Sequence, residues 1–123
     1  MRNIIALGLL ALVFVACDPS TTSTSDIRDP LVGNWTCKET GGQSYQVVVS
    51  IAPFEEDKMY FNNLYNLSKN VEVTILNSTL SIPVQTVANF ELKGSGTVSN
   101  DKKKITLNFT ADTSSIQATM TKN

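Results

Sequence analysis

From Leu31 onward, apolar and polar side chains alternate. Trp35 and Cys37 interleave with Thr36 and Lys38, and Tyr45, Val47, Val49 and Ile51 interleave with Gln46, Val48 and Ser50. Met59 and Phe61 alternate with Tyr60 and Asn62, and Val71, Val73 and Ile75 with Glu72 and Thr74. Leu80, Ile82 and Val84 follow, then Phe90 and Leu92, with Gly94, Gly96 and Val98 on the same parity. Ile105, Leu107, Phe109 and Ala111 alternate with Thr106, Asn108 and Thr110, and Ile116, Ala118 and Met120 close the chain. A period of two places successive side chains on opposite faces of a strand, one face buried and one wet. Turn-forming residues separate the runs: Gly41-Gly42, Pro53 to Asp57, Asn77-Ser78, Ser99 to Lys102 and Asp112 to Ser115. No stretch sustains a helical period.

The pattern predicts an all-β domain of about eight short strands. Short turns between sequential strands favour an antiparallel meander. Eight such strands can close into a small barrel, which removes exposed edges. Gly94 and Gly96 fall on the inward parity, where a strand bends or opposite walls approach. Pro83 cannot donate to a ladder, so it wants an edge or a bulge, and the barrel is either closed or partly open there. The inward set is large and apolar. It reads either as a packed core or as the lining of a small apolar pocket near one mouth, with Trp35, Phe61 and Tyr65 at the rim.

Ahead of this domain the pattern is different. Arg2 is followed by an apolar run, Ile4 to Ala16, without a charge, and then by Cys17 and the polar Asp18-Pro19-Ser20-Thr21. The run is shorter than the ~20 residues that span a bilayer as a helix and reads as an export signal. Its end, Phe14-Val15-Ala16-Cys17, resembles the lipobox of bacterial lipoproteins, with Phe14 where Leu is usual. The resemblance implies cleavage before Cys17, whose thiol takes a diacylglycerol and whose new amino group takes an acyl chain such as palmitate. Two or three acyl chains anchor stably at about 0.8 kcal/mol per buried methylene. Residues 1–16 are then the signal peptide, 17–30 the lipidated cysteine and a polar tether, and 31–123 the folded domain. The location this implies is the cell envelope, on the outer membrane in preference to the inner.

Composition narrows the chemistry. Ten Lys and Arg stand against eleven Asp and Glu, and Arg2 leaves with the signal, so the remainder is weakly acidic. A nucleic-acid partner would want a basic face. Lys102-Lys103-Lys104 beside Asp101 reads as a solvated hairpin tip. There is no histidine, which removes the commonest general base and zinc ligand. Glu72 and Glu91 are the candidate carboxylate pair, but both fall on the outward parity, so no enzyme and no cofactor is expected. Glu55-Glu56-Asp57 with Asn62-Asn63 supplies oxygen ligands without the spacing of a known calcium loop, and no metal site is assigned. With Cys17 acylated, Cys37 has no partner in the chain and reads as a small buried side chain.

The first strand opens with Leu31-Val32-Gly33-Asn34-Trp35, which resembles the Gly-x-Trp signature of lipocalins. Together with the lipobox, the polar linker, Ile82-Pro83-Val84-Gln85-Thr86-Val87, Gly94-Ser95-Gly96-Thr97-Val98 and Ala118-Thr119-Met120-Thr121-Lys122, it makes the chain similar to the small lipocalin-like lipoproteins of Bacteroidetes. The resemblance implies a calycin-like barrel. Lipocalins pair the tryptophan with a late arginine; here Lys122 is the late cation. Two functions follow as expectations: a membrane-anchored monomer binding a small apolar ligand, or an envelope lipoprotein with a filled core acting through protein contacts as inhibitor, adaptor or structural element.

Overall fold

The computed structural model describes residues 26–123. The expected signal peptide, Cys17 and the start of the expected tether lie outside the described residues. Eight strands run in sequence order: β1 Gly33–Glu39, β2 Ser44–Ile51, β3 Lys58–Asn62, β4 Asn70–Leu76, β5 Thr79–Val87, β6 Phe90–Val98, β7 Lys104–Ala111 and β8 Ser114–Lys122. Each pairs antiparallel with the next, and β8 returns to pair with β1, so the meander closes into a small lipocalin-like barrel. The closing register sets Cys37 opposite Met120 and Trp35 opposite Lys122.

The period-two pattern explains the wall. β7 alternates exposed Lys104, Thr106 and Asn108 with buried Ile105, Leu107 and Phe109, and β4 buries Val71, Val73 and Ile75. Between them the strands enclose one continuous core in which Trp35, Met59, Phe61, Leu80, Leu92, Leu107 and Met120 have no solvent-accessible surface. A barrel of eight strands is just wide enough for side chains to fill it.

The two glycines on the inward parity have a structural cause. A Cβ on Gly94 would overlap Phe109 Cβ and the Asn108 carbonyl, and one on Gly96 would overlap the Thr106 carbonyl and Leu107. The chain bends so closely onto β7 there that no side chain fits.

Pro83 sits at a bulge. The β5–β6 register runs Ile82 to Gly94 and resumes at Gln85 to Leu92, so Pro83 and Val84 together oppose Lys93. The barrel closes nonetheless. Its shortest seam is β4–β5, where pairing is confined to Thr74 with Ser81, Ile75 with Leu80 and Leu76 with Thr79.

One boundary moves. Residues 26–30, expected within the tether, belong to the folded body. Arg28 is buried at 6% exposure, and Asp29–Leu31 form a 3-10 turn that carries Leu31 into the core. A burial pattern in strands cannot reveal a residue held by backbone carbonyls, which is how Arg28 is held. No helix among the described residues is long and apolar enough to cross a membrane.

Candidate functional site

The barrel has two ends. The entry end gathers the start of β1 and the loops β2–β3, β4–β5 and β6–β7. The far end gathers the loops β1–β2, β3–β4, β5–β6 and β7–β8. At each, a short turn outside the strands joins strand residues in closing the barrel.

At the entry end Leu31 fills the mouth, and Trp35 Nε1 donates to the Leu31 carbonyl at 2.7 Å. Lys122 Nζ lies 5.9 Å from the centre of the Trp35 ring and donates to the Pro30 carbonyl. The late cation therefore stands over the tryptophan, and its ammonium meets both the ring face and the turn that plugs the mouth. Beside it the Arg28 guanidinium donates to the Glu55 carbonyl and, at 2.7 Å, to the Lys58 carbonyl, while Nε and Nη2 grip the Asp26 carboxylate at 2.9 and 2.7 Å. The side-chain bonds from Arg28, with the bond from its backbone N–H, hold the Asp26 carboxyl at a pKa of about 2. Asp26 in turn raises the Arg28 pKa.

At the far end the plug is the 3-10 turn Leu64–Asn66. Leu64 is fully buried. The Tyr65 ring meets Phe90 edge-on at 5.5 Å and Phe109 at 6.0 Å between centroids, the T-shaped arrangement favoured by aromatic quadrupoles. Tyr65 has φ of +60° and Asn66 +61°, a backbone cost for a bulky residue offset by that packing. The Tyr65 N–H donates at 2.9 Å to Tyr45 Oη, and Tyr45 Oη donates at 2.7 Å to the Glu39 carboxylate. Burial, with the nearby Glu39 carboxylate, pushes the Tyr45 phenol up, so it stays protonated and donating. Burial likewise pushes the Cys37 thiol up to about 11, and Cys37 is a free buried cysteine.

The expected rim residues are thus not assembled at one mouth. Trp35 plugs the entry end, Tyr65 the far end, and Phe61 lies fully buried in the core between β2 and β4. They seal the interior. Glu55-Glu56-Asp57 and Asn62-Asn63 are also separated, by the length of β3. Among the described residues no group of three acidic, cysteine or histidine side chains is placed to hold a metal.

Among the described residues, a concavity lies on the outer wall. It measures about 500 Å³ and is lined by Ile82, Pro83, Val84, Gly94, Phe109 and Thr110, with Lys93, Asn108 and Ser115 around them. Its shape follows from the bulge at Pro83 beside the bend at Gly94. Val84 is exposed at 64% there, and Thr110 Oγ1 is buried without a hydrogen-bond partner.

Sequence reasoning missed one residue in this wall. Below Thr74 and above Ser81, strands β4 and β5 part, and the Gln85 amide fills the gap. Its Oε1 accepts from the Glu72 N–H at 2.9 Å, and its Nε2 donates to the Glu72 carbonyl at 2.9 Å and to the Pro83 carbonyl at 3.0 Å. A side-chain amide takes the place of a backbone peptide. The available signal was Pro83, two residues earlier, which forces the bulge.

No family model matches the chain, and no curated protein matches it. Among solved structures it is similar to a redesigned beta barrel, at 16% identity and a TM-score of 0.51, with 83% of this chain and 99% of that chain covered. That likeness concerns the β-barrel fold alone.

Proposed function

We propose that the chain is an exported lipoprotein, anchored through acylated Cys17, whose barrel is a filled, non-catalytic body that acts through its outer surface on protein partners in the cell envelope. The observation that carries this reading is the sealed interior. Large apolar side chains fill the barrel, and Leu31 with Trp35 at one end and Leu64 with Tyr65 at the other leave neither mouth free for a ligand. The anchor rests on the resemblance of Phe14-Val15-Ala16-Cys17 to a lipobox, and an outer-membrane location follows from that resemblance in turn.

A second reading has its own support. The outer concavity beside Pro83 offers an apolar floor and an unpartnered hydroxyl on Thr110, the mixture that small-molecule sites use. A small apolar ligand would bind on the wall, outside the lumen.

Two measurements separate these claims. Labelled palmitate should enter the wild-type chain and not Cys17→Ser; equal labelling would refute the anchor. Native mass spectrometry of residues 18–123, purified without detergent, should give the bare polypeptide mass. A reproducible extra mass released by organic solvent would favour the ligand carrier over action through protein partners.

A further inference from the structure

The two ends of the barrel differ in what they expose. Of the large apolar side chains open to solvent, Ile27, Val32, Phe54 and Leu76 belong to the entry end, and Val48 and Val84 to the wall. Phe54 is wholly exposed, on a backbone with φ of +68°, and Leu76 is exposed at 75%. The loops of the far end carry no such side chain; Tyr65 and Leu67 are turned back against the core there.

These entry-end residues are neighbours through the backbone. Arg28 holds the Glu55 carbonyl, next to Phe54. The Ile75 N–H donates to the Asp57 carbonyl at 2.8 Å, which sets Leu76 beside the same loop. Ile27 shares a depression with Asn77 and Ser78, immediately after Leu76. The result is one apolar prow built from the β2–β3 loop, the β4–β5 turn and the chain's own entry.

The entry end is also where the chain arrives. Eight residues lie between Cys17 and Asp26, so the nine chain steps reach at most about 30 Å when fully extended. A nine-residue strand such as β5, tilted as in small barrels, gives a wall about 20–25 Å tall. An anchor at Cys17 keeps the entry end near the bilayer, and inverting the barrel would demand a nearly taut tether.

We propose that the entry end is a membrane-docking face: Phe54, Leu76 and Ile27 lie in the interfacial layer of the bilayer to which Cys17 is anchored, and the far end points away. This rests on the anchor proposed above and goes beyond it. The occupant is a lipid surface rather than a protein because the tether holds that surface within reach. Contact is apolar in kind. The entry end carries charges of both signs, Arg28, Lys58, Lys102, Lys103, Lys104 and Lys122 with Asp26, Asp29, Glu55, Glu56, Asp57 and Asp101, so no single-sign patch selects anionic headgroups.

The test uses the acylated full chain in vesicles of phosphatidylethanolamine and phosphatidylglycerol, with and without brominated acyl chains. Phe54→Trp and Leu76→Trp report on the entry end, Thr113→Trp on the far end; all three sites are exposed, and Trp35, fully buried, is a background common to every sample. Bromination should lower the added fluorescence of Phe54→Trp and Leu76→Trp about two-fold and leave Thr113→Trp unchanged. The quenching should survive a rise from about 0.1 to about 1 M salt, which shortens the Debye length to about 3 Å. No quenching at Phe54→Trp, equal quenching at Thr113→Trp, or loss in salt would each overturn the docking face while palmitate labelling of Cys17 stands. Absence of palmitate would instead overturn the anchor, and this inference with it.

Discussion

Cys37 shows how a single residue is shaped by the wall that holds it. It faces inward between Tyr45 on β2 and Met120 on β8, and burial raises its pKa from 9.0 to about 11. A raised acid pKa favours the neutral thiol in the folded state. Its contribution to stability is full below pH 9 and is lost as the pH climbs through about 11. At pH 8 the thiol is neutral and enclosed, so a disulfide reagent should leave the folded protein unmodified and label one thiol of residues 18–123 once urea unfolds them. Rapid labelling without urea would contradict the buried assignment. Gly94 sets a harder limit. Gly94→Ala places a methyl group against Phe109 and the Asn108 carbonyl, and overpacking of this kind costs about 2–3 kcal/mol. Urea titration should show the midpoint falling accordingly, whereas Ser95→Ala, one position along on the outer face, should leave it nearly unchanged. The parity of these residues was legible in the sequence, because period-two burial depends on apolar side chains at alternate positions and nothing more. The contact that excludes a Cβ was not, because it depends on how tightly β6 curls onto β7.

At the scale of elements, the two devices that hold the barrel's weak places are both polar. Arg28 fastens the entry turn to the β2–β3 loop. Asp26 keeps that guanidinium aligned, and its pKa is depressed from 3.8 to about 2. A depressed carboxyl pKa gives a contribution that is full above about pH 4 and is lost as the pH falls through about 2. Amide hydrogen exchange at Leu31 and Val32 should therefore accelerate between pH 4 and 2 beyond the intrinsic rate, and Arg28→Met should show that acceleration already at neutral pH. Gln85 does the corresponding service for the β4–β5 seam. Gln85→Ala strands the Glu72 N–H and carbonyl, a loss of about 1–2 kcal/mol where water can partly replace the amide. Gln85→Glu keeps the shape and an acceptor but removes the donor, so it should lose nearly as much at pH 7. If Gln85→Glu matches wild type in urea, the bridge contributes nothing. The strands, their turns and the inward set were readable from the alternation, and Pro83 announced its bulge. Arg28 was assigned to the tether because its partners are backbone carbonyls of Glu55 and Lys58, and carbonyls leave no trace in a sequence. The rim of Trp35, Phe61 and Tyr65 was an inference from size and aromaticity, which do not tell a gate from a plug.

The whole molecule is a sheet whose last strand is also a neighbour of its first. The β1–β8 ladder joins residues 79 to 87 positions apart, from Glu39 with Ala118 to Trp35 with Lys122. β8 therefore shares in two seams, and a chain ending at Asp112 would lose both. It should show no cooperative urea transition and weak amide protection throughout, while residues 26–123 should unfold in a single step; separate transitions for the two halves would mean that closure is not what couples them. Closure is usually credited with abolishing the sheet edges through which β proteins stick to one another. Here that protection has one narrow dependence. Along residues 70–73 of β4 the backbone on the β5 side has no strand partner, and at Glu72 both of its peptide groups are answered by the amide of Gln85. Take that amide away and the molecule keeps its topology while acquiring a strip of template open to any passing β-strand. Self-association, rather than unfolding, is the first failure to look for in chains altered at this position.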